Sequence, residues 1–472
     1  MASADPITAL GHRLGPGGIL TDPADTAPYL VDLLRRYSGT AVCVARPKDT
    51  DEVAAVVRLA AEHGLAITPS GGRTGFCGGA VPGDGRPHIV LSLDRMRAIR
   101  SMDPVGDVIV AEAGATLAEV KAAAEAAGRY FPVSHGGEGS SQIGGMIATN
   151  AGGNNVLRYG MARAHVLGLE VVLADGTVWD GLKTLRKDNS GYDLKQLFIG
   201  AEGTLGIVTA AALALRPRPA ARGTALVAVA DPRGALDLFV HVRAQAGELL
   251  SAFELMPRAG MALHCSRPGA AADPFAGRHD WLVLAELETA IPRIDPAAIL
   301  EDALAGAFES GLARDAMIPQ SDTQRRALWS IREGMAEAMA GNVLVLKSDT
   351  SVPVAASPDF VRLAGEKVAA ILPGAVPIPF GHVGDGNIHF NVMAPDGMDA
   401  ETFAPFIPEL AEAIAQASLA FGGSISAEHG LGQAKRDLAA RTKPTAEIEM
   451  MRRLKRMLDP DGRMNPGKIV ET

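Results

Sequence analysis

Three of the eleven histidines lie in two short segments whose residue types suit metal binding and proton transfer. The first segment, residues 380–391, reads FGHVGDGNIHFN and contains His382 and His389. Asp385 and Gly386 between them are a preferred pair for a two-residue type I′ hairpin turn. Such a turn places His382 opposite His389, with their Cβ atoms about 4.5–5.5 Å apart. Two imidazoles at that separation can bind one divalent ion.

The same hairpin would place two amides beside the histidines. Because side chains alternate between the faces of a strand, Asn387 and Asn391 share the face of His389. A second interpretation stays open, in which the Asp385–Gly386 pair is only a turn and the histidines are polar surface groups. Asp385 itself is interpreted as a turn residue rather than a ligand.

The second segment, residues 424–432, reads SISAEHGLG and supplies a carboxylate next to a histidine. Two histidines and one carboxylate, with open coordination positions, suit a catalytic zinc or a similar first-row ion. Adjacent residues of a regular strand cannot easily point at the same ion. We therefore assign Glu428 to the metal and His429 to the substrate.

Two basic residues are candidates for binding an acidic substrate. Arg332 lies in a helical stretch, where the alternative is a solvated surface charge. Lys347 follows the apolar run 343–346, where an ordinary surface lysine is less favourable.

Three glycine-rich segments indicate a different kind of site. Residues 69–75 read PSGGRTG directly after a predicted strand, and residues 139–153 and 200–206 are also rich in glycine and small residues. Glycine permits positive φ angles and close backbone approach to an anion such as a pyrophosphate. An ordinary turn is the alternative for residues 69–75. None of the segments has the G-x-G-x-x-G pattern, so a Rossmann enzyme is not expected.

Apolar periodicity and turn residues predict an α+β chain rather than a strict βαβ alternation. The expected helices are 50–63, 116–127, 232–247, 324–340, 358–371 and 403–420, and the expected strands are 65–68, 88–93, 108–113, 166–173, 177–179, 205–215, 225–230 and short strands near 344 and 378. Thr50 and Thr116 are the expected N-caps, with Glu119 completing a capping box. The Asp175–Gly176 pair predicts a hairpin between the strands 166–173 and 177–179. The Arg/Pro stretch 216–219 is the first predicted domain boundary.

Composition excludes several classes of protein. The 472 residues carry a net charge of −9, so the chain lacks the excess of basic residues that is typical of a nucleic-acid-binding protein. Cys43, Cys77 and Cys265 are few and far apart, as is typical of a reducing compartment. No secretory signal and no apolar run of about 18 residues is visible. We therefore expect a cytoplasmic protein without a transmembrane segment.

Five blocks in order, residues 69–75, 143–145, 149–153, 168–176 and 200–207, resemble the flavin domain of the vanillyl-alcohol oxidase type of FAD enzymes. The resemblance implies a FAD-binding domain of two α+β subdomains. It assigns to FAD binding the residues Pro69, Ser70, Gly71, Gly72, Arg73, Thr74, Gly75, Gly78, Ser141, Gly144, Gly145, Thr149, Asn150, Gly152, Glu202, Gly206, Ile207 and Asn465. Some members tether FAD through a histidine of the first loop, which has none here, so we expect non-covalent FAD.

Residues 381–389 and 427–430 are similar to the metal and base motifs of FAD-dependent D-2-hydroxyacid dehydrogenases. That family implies a divalent metal, taken as zinc, on His382, His389 and Glu428, with His429 as the base. It implies substrate contacts from Arg332 and Asn391. It also implies hydride transfer to flavin N5 and an electron acceptor that is an electron-transfer flavoprotein, a quinone or a cytochrome.

Lys347 and residues 185–197 resemble the D-2-hydroxyglutarate branch of that family, in which the lysine binds the distal carboxylate. Ala336 departs from the branch, which can carry a threonine there. D-lactate, D-malate and glycolate therefore stay open as substrates, and a non-catalytic flavin-fold subunit is the alternative of a different class. The expected domains are 1–219 for FAD, 220–423 as an α+β substrate (cap) domain with an antiparallel sheet, and 424–472 as a segment returning to the flavin. A homodimer is compatible with these features.

Overall fold

The computed structural model describes residues 5–340 and 342–471. Residues 1–4, 341 and 472, which include the outer ends of the first and last predicted domains, lie outside the described residues. The chain divides into two compact units. Unit 1 comprises Met1–Gly153, Gly160–Arg218 and Glu428–Thr472, and unit 2 comprises Asn154–Tyr159 and Pro219–Ala427. The three predicted domains stay a prediction.

Unit 1 combines helices with two main sheets. Its helices are α1 (Pro6–Leu14), α2 (Pro23–Thr26), α3 (Thr50–Glu62), α4 (Leu117–Ala126), α5 (Ile143–Ala148), α7 (Lys195–Phe198), α15 (Arg436–Thr442) and α16 (Thr445–Leu458). Its strands are β1 (Ile19–Leu20), β2 (Cys43–Ala45), β3 (Ala66–Ser70), β4 (His88–Ser92), β5 (Ile99–Asp103), β6 (Val108–Glu112), β7 (Arg129–Tyr130), β8 (Val166–Val172), β9 (Val178–Gly181), β10 (Ile207–Ala214) and β11 (Arg216–Pro217).

The two sheets of unit 1 differ in strand direction. One has the order β1-β2-β4-β3, with β2, β4 and β3 parallel, and the other is the antiparallel sheet β5-β6-β10-β8-β9. The capping box of Thr116 and Glu119 at α4 and the hairpin around the Asp175–Gly176 pair are confirmed. The predicted cap of α3 is wrong by one residue. Asp49 accepts the N–H of Glu52, whereas Thr50 donates its hydroxyl to Glu170.

Unit 2 is built on one large antiparallel sheet. Its helices are α6 (Val156–Tyr159), α8 (Pro232–Ala246), α9 (Arg258–Cys265), α10 (Pro296–Glu309), α11 (Asp322–Ala340), α12 (Ser357–Ile371), α13 (Ala400–Phe403) and α14 (Ile407–Ala420). Its strands are β12 (Ala221–Val229), β13 (Leu250–Pro257), β14 (Trp281–Thr289), β15 (Asp315–Met317), β16 (Val345–Leu346), β17 (Thr350–Ser351), β18 (Val376–His382) and β19 (Asn387–Met393).

The sheet of unit 2 has the order β15-β12-β14-β13-β18-β19-β16, and β17 also pairs with β19. One apolar cluster joins it to α8, α10, α12 and α14, and a second joins the alternate residues of the strands to α9 and α11. Each face of the sheet is therefore covered by helices. This arrangement confirms the predicted α+β class with an antiparallel sheet in the second half of the chain.

The β18–β19 hairpin differs from the predicted register. His382 pairs with Asn387 and Phe380 pairs with His389, so His382 does not lie opposite His389. The connection is the four residues 383–386 rather than a two-residue turn. The shift is two residues, an even number, so His382, His389, Asn387 and Asn391 still share one face, as predicted.

Across residues 5–340 and 342–471, no helix is both long enough and apolar enough to cross a membrane.

Candidate active site

The loop after β3 packs against the second glycine-rich segment of unit 1. Pro69 and Ser70 end the strand, and Arg73 adopts a φ of 55°, with its guanidinium 4.2 Å from the centre of the Tyr29 ring. At Gly72 a Cβ atom would lie 2.0 Å from the carbonyl oxygen of Ser140. Glycine is therefore required at position 72, because the loop packs directly on the backbone of the second glycine-rich segment.

A second contact joins the C-terminal segment to the same part of unit 1. Asn465 has a φ of 43° and donates through Nδ2 to the carbonyls of Gly79 at 2.9 Å and Glu202 at 2.7 Å. Met464 forms a parallel bridge with Ile67 of β3. Three segments that are far apart in sequence, around residues 79, 202 and 465, are thus brought together.

The second glycine-rich segment is partly helical, which its composition did not reveal. Helix α5 begins at Ile143, and a Cβ atom on Gly144 would lie 2.8 Å from Cβ of Ala113. Gly144 therefore allows the helix to pack on Ala113, the residue after β6, whereas Gly145 has open space around its Cβ position. Asn150, at a φ of 50°, accepts the N–H of Arg163.

The other residues assigned to FAD by resemblance also lie in unit 1. Ser141 is buried, and Thr149 is the C-cap of α5 and donates to the carbonyl of Gly145. Gly206 leaves no room for a Cβ beside Val171. Of the rest, Ile207 begins β10 and Gly78 has a φ of 68°. Gly71, Thr74 and Gly75 lie in the loop after β3, and Gly152 lies in the loop after α5.

Buried polar atoms test whether unit 1 fits FAD. Ser70 Oγ, Gln142 Oε1 and Asn465 Oδ1 are among the buried side-chain atoms of the described residues that have no hydrogen-bond partner. Buried polar atoms are nearly always hydrogen-bonded in folded proteins, so atoms of this kind call for a ligand or water. Ser70 and Asn465 are residues assigned to FAD by resemblance, and Gln142 directly precedes the block 143–145. The residues present therefore fit the cofactor.

The hairpin of unit 2 places two histidines on one face. A ring nitrogen of His382 and a ring nitrogen of His389 lie within 4.8 Å of each other. The side chain of His382 is buried and that of His389 is half-buried. Imidazole nitrogens at this separation are a donor set that fits a divalent transition metal such as zinc.

Glu254 of β13 contacts two of the predicted site residues and was missed in the sequence. Its Oε1 lies 2.6 Å from Nδ1 of His382, and its Oε2 accepts from Nε of Arg332 at 2.8 Å. Burial alone would raise the pKa of the Glu254 carboxyl, but the charges and hydrogen bonds of His382 and Arg332 lower it to about 2. A single charged residue within the apolar strand 250–257 is the signal that could have identified it.

Asp349 is the second residue that sequence reasoning missed. Its carboxylate accepts from Nδ2 of Asn387 at 3.2 Å, and its Oδ1 lies 3.8 Å from Nδ1 of His389. The same carboxylate accepts the N–H of Ala427 at 3.1 Å and the hydroxyl of Ser426. Asp349 therefore links the face of the hairpin to the residues that precede Glu428.

The predicted substrate residues lie on the same side of the unit 2 sheet. Arg332 of α11 is buried and stands 4.9 Å above the ring of Phe380. Asn391 accepts the N–H of Ser348 at 2.9 Å, and Lys347 donates through Nζ to the carbonyl of Ala340. Arg332 is therefore not the solvated charge that was the alternative in the sequence.

Glu428 and His429 open the last segment of unit 1, and the loop after them is held by Glu202. The Glu202 carboxylate accepts the N–H groups of Leu431 at 2.8 Å and Gly432 at 2.9 Å. Burial raises the pKa of Glu202 to about 6, although these N–H groups oppose the change. The ring of His429 lies edge-on to Phe76, 4.9 Å between centroids.

Comparison with known proteins relates two parts of the chain to FAD enzymes. Residues 41–181 match the family described as FAD binding domain, and residues 218–469 match the family described as FAD linked oxidases, C-terminal domain. The second match alone spans more than half of the chain. Among solved structures, p-cresol methylhydroxylase with substrate bound has a TM-score of 0.79 at 16% identity, covering 99% of this chain and 96% of that chain. At that identity the likeness shows the fold alone, which is the vanillyl-alcohol oxidase type.

Two relatives match over nearly the whole chain. D-2-hydroxyglutarate dehydrogenase of Xanthomonas citri pv. viticola is 40% identical over 456 residues, covering 96% of this chain and 94% of the relative. The mitochondrial D-2-hydroxyglutarate dehydrogenase of Bos taurus is 39% identical over 473 residues, covering 100% of this chain and 84% of the relative.

Fold and family matches together define a FAD-dependent oxidoreductase. The chain belongs to the D-2-hydroxyglutarate dehydrogenase family. The predicted enzyme class and the predicted cofactor FAD are confirmed.

Proposed function

We propose that this enzyme oxidises D-2-hydroxyglutarate to 2-oxoglutarate, with non-covalent FAD and with a divalent metal, most simply zinc, on His382, His389 and Glu428. Identity of about two residues in five to D-2-hydroxyglutarate dehydrogenases along the whole chain carries the proposal. The two histidines that share one face of the β18–β19 hairpin support the metal-dependent part of the proposal. D-2-hydroxyglutarate has an α-carboxylate, a hydroxyl group and a distal carboxylate, and each of them has a candidate partner in this chain.

Chain continuity supports Glu428 as the third ligand. Ala427 is held by Asp349, whose carboxylate lies 3.8 Å from His389. Glu428 follows Ala427 directly, and consecutive Cα atoms are about 3.8 Å apart. A carboxylate with two imidazoles leaves a zinc ion with open positions for a substrate.

The chemistry divides between the bound groups and the side chains. FAD supplies the acceptor for the hydride from C2, and the metal supplies Lewis acidity toward the hydroxyl and the α-carboxylate. We assign to His429 the role of general base that takes the hydroxyl proton. Arg332 and Asn391 orient the α-carboxylate end, and Lys347 binds the distal carboxylate by charge and hydrogen bonding.

The cofactor should leave the protein on denaturation. The first loop, residues 69–75, has no histidine for a covalent link. His135 is the histidine nearest the second glycine-rich segment in sequence, and its Nδ1 pairs with the carbonyl of Gly136. Cys43, Cys77 and Cys265 form no disulfide, which agrees with the reducing, cytoplasmic setting that we propose.

An anaerobic substrate panel tests the proposal. D-2-hydroxyglutarate should bleach the flavin band near ~450 nm faster than D-lactate, D-malate or glycolate. Incubation with a chelator should abolish the bleaching, and zinc should restore it. Faster reduction by D-malate or D-lactate would contradict the substrate assignment, and full activity after complete metal removal would contradict the metal. Reoxidation by a quinone, a cytochrome or an electron-transfer flavoprotein then identifies the acceptor.

A further inference from the structure

Glu254 is a carboxylate in a place where an unpaired charge would be costly. It lies on the central strand β13 between Phe253 and Leu255, and it is 1% exposed. Removing a carboxylate from water is strongly unfavourable unless it is paired and hydrogen-bonded. The partners of Glu254 therefore determine what this carboxylate does.

Its first partner is a proposed metal ligand. Oε1 of Glu254 lies 2.6 Å from Nδ1 of His382, and only a protonated Nδ1 can donate to a carboxylate. This contact assigns the hydrogen to Nδ1 and makes Nε2 the nitrogen that would bind a metal. A carboxylate on the far nitrogen also fixes the orientation of the ring and raises its basicity as a ligand.

Its second partner is the arginine assigned to the substrate. Nε and Nη2 of Arg332 both lie 2.8 Å from Oε2 of Glu254, and the guanidinium lies over the ring of Phe380. Two bonds from one edge hold the plane of the guanidinium. The two N–H donors of Nη1 belong to the other edge of the group.

We infer that Glu254 is a positioning residue that fixes the tautomer of His382 and the plane of Arg332 together. This inference rests on the proposed function, because it takes His382 as a metal ligand and Arg332 as a substrate contact. Its consequence is that the affinity for the metal and the affinity for the hydroxy acid depend on one buried carboxylate, which acts through His382 and Arg332.

The test measures zinc affinity without substrate, by competition with a coloured chelator. Glu254→Gln should weaken zinc binding about 10- to 100-fold, as is typical when a partner of a ligating histidine is lost. It should also raise KM for D-2-hydroxyglutarate. Glu286→Gln is the matched control. Glu286 is a buried carboxylate on the same face of the sheet, and it accepts from Thr224 and Trp329 rather than from His382. The zinc affinity of the Glu286→Gln variant should therefore equal that of the wild type.

Glu254→Asp separates positioning from charge pairing. It keeps the negative charge beside Arg332 but withdraws the carboxylate by about 1.5 Å, the length of one C–C bond. Folded Glu254→Asp protein should still bind zinc more weakly than the wild type. Wild-type zinc affinity in either folded variant would overturn the role of Glu254. Wild-type protein that binds no zinc would instead overturn the proposed metal site, so the two failures are distinguishable.

Discussion

The imidazole rings of His382 and His389 lie 6.0 Å apart between centroids and are inclined at 76°. They are diagonal neighbours across the hairpin, since His382 pairs with Asn387 and His389 lies two residues further along β19. Rings in this arrangement can offer one nitrogen each to a shared ion without stacking on each other.

Replacing one of these histidines should remove the metal. We expect His389→Ala to lower zinc affinity by more than about 100-fold, because loss of a ligand should exceed the effect of losing a ligand's partner. Metal content of purified protein, measured by mass spectrometry beside the flavin absorbance, checks this. His241→Ala is the control, since His241 on α8 pairs with the carbonyl of Ala303 and has no proposed role in binding. Unchanged zinc content in His389→Ala would rule out His389 as a ligand.

Replacing His429 should stop proton removal while both cofactors stay bound. We expect His429→Ala to lower kcat by about 10²- to 10⁴-fold, the usual contribution of general acid–base catalysis. The acidic limb of the kcat/KM profile against pH should also disappear, because protonation of the base causes it. Stopped-flow flavin reduction measures both effects. A variant that loses activity only because it has lost zinc or FAD would contradict the assignment of His429 as the base.

Replacing Lys347 should affect dicarboxylates selectively. We expect Lys347→Ala to raise KM for D-2-hydroxyglutarate about 10- to 100-fold, since a hydrogen bond between charged groups contributes about 1.5–3 kcal/mol. D-lactate has no distal carboxylate and serves as the internal control, so its KM should change little. Steady-state kinetics with an artificial acceptor measure both values. Equal increases for the two substrates would contradict a distal role.

A methyl group at Gly72 should loosen FAD. The Cβ of Gly72→Ala would lie 2.0 Å from the carbonyl of Ser140, which forces the loop 69–75 away from the second glycine-rich segment. We expect a lower ratio of flavin to protein absorbance after dialysis. Gly136→Ala is the control, because nothing lies within 4 Å of its Cβ position. Equal FAD retention in both variants would show that the loop tolerates the displacement.

Glu202 should make stability depend on pH. Burial raises its pKa from 4.5 to about 6, so the folded protein favours the protonated carboxyl. The stabilising contribution is complete below about pH 4.5 and is lost as the pH rises through about 6, which amounts to about 2 kcal/mol. The thermal unfolding midpoint of the wild type, measured relative to that of Glu202→Gln, should therefore decrease as the pH is raised from 4.5 to 7. A constant difference across that range would contradict the pKa.

Two local features of the sequence were predicted correctly because neighbouring residues determine them, whereas the predicted cap of α3 was wrong by one residue. The capping box of Thr116 and Glu119 closes within four residues, and the Asp175–Gly176 pair determines its own turn. Distant contacts determine the loop 383–386 instead. The N–H of Val383 donates to the carbonyl of Phe253, and a Cβ on Gly386 would lie 2.0 Å from the carbonyl of Val352. The register of the two histidines was therefore wrong, whereas the face that they share was right.

The sequence predicted individual residues of the candidate site but not the hydrogen bonds that connect them. Arg332 and His382 were both selected from their sequence context, but the residue between them was not. Glu254 is 128 positions before His382 and 78 before Arg332. Its importance depends on the pairing of β13 with β18 and on the packing of α11, which no local pattern reveals.

The discontinuity of unit 1 has a consequence for the order of folding during synthesis. Lys455 donates to the carbonyl of Thr204, and Asn465 donates to those of Gly79 and Glu202. The segment Glu428–Thr472 therefore completes a unit whose other parts precede residue 219. Domains tend to fold from the N-terminus as they leave the ribosome. Here the FAD-binding unit cannot complete its folding when its first two segments have been made, because its third segment is translated only after unit 2. The nascent chain should therefore become able to retain flavin only after unit 2 has been translated.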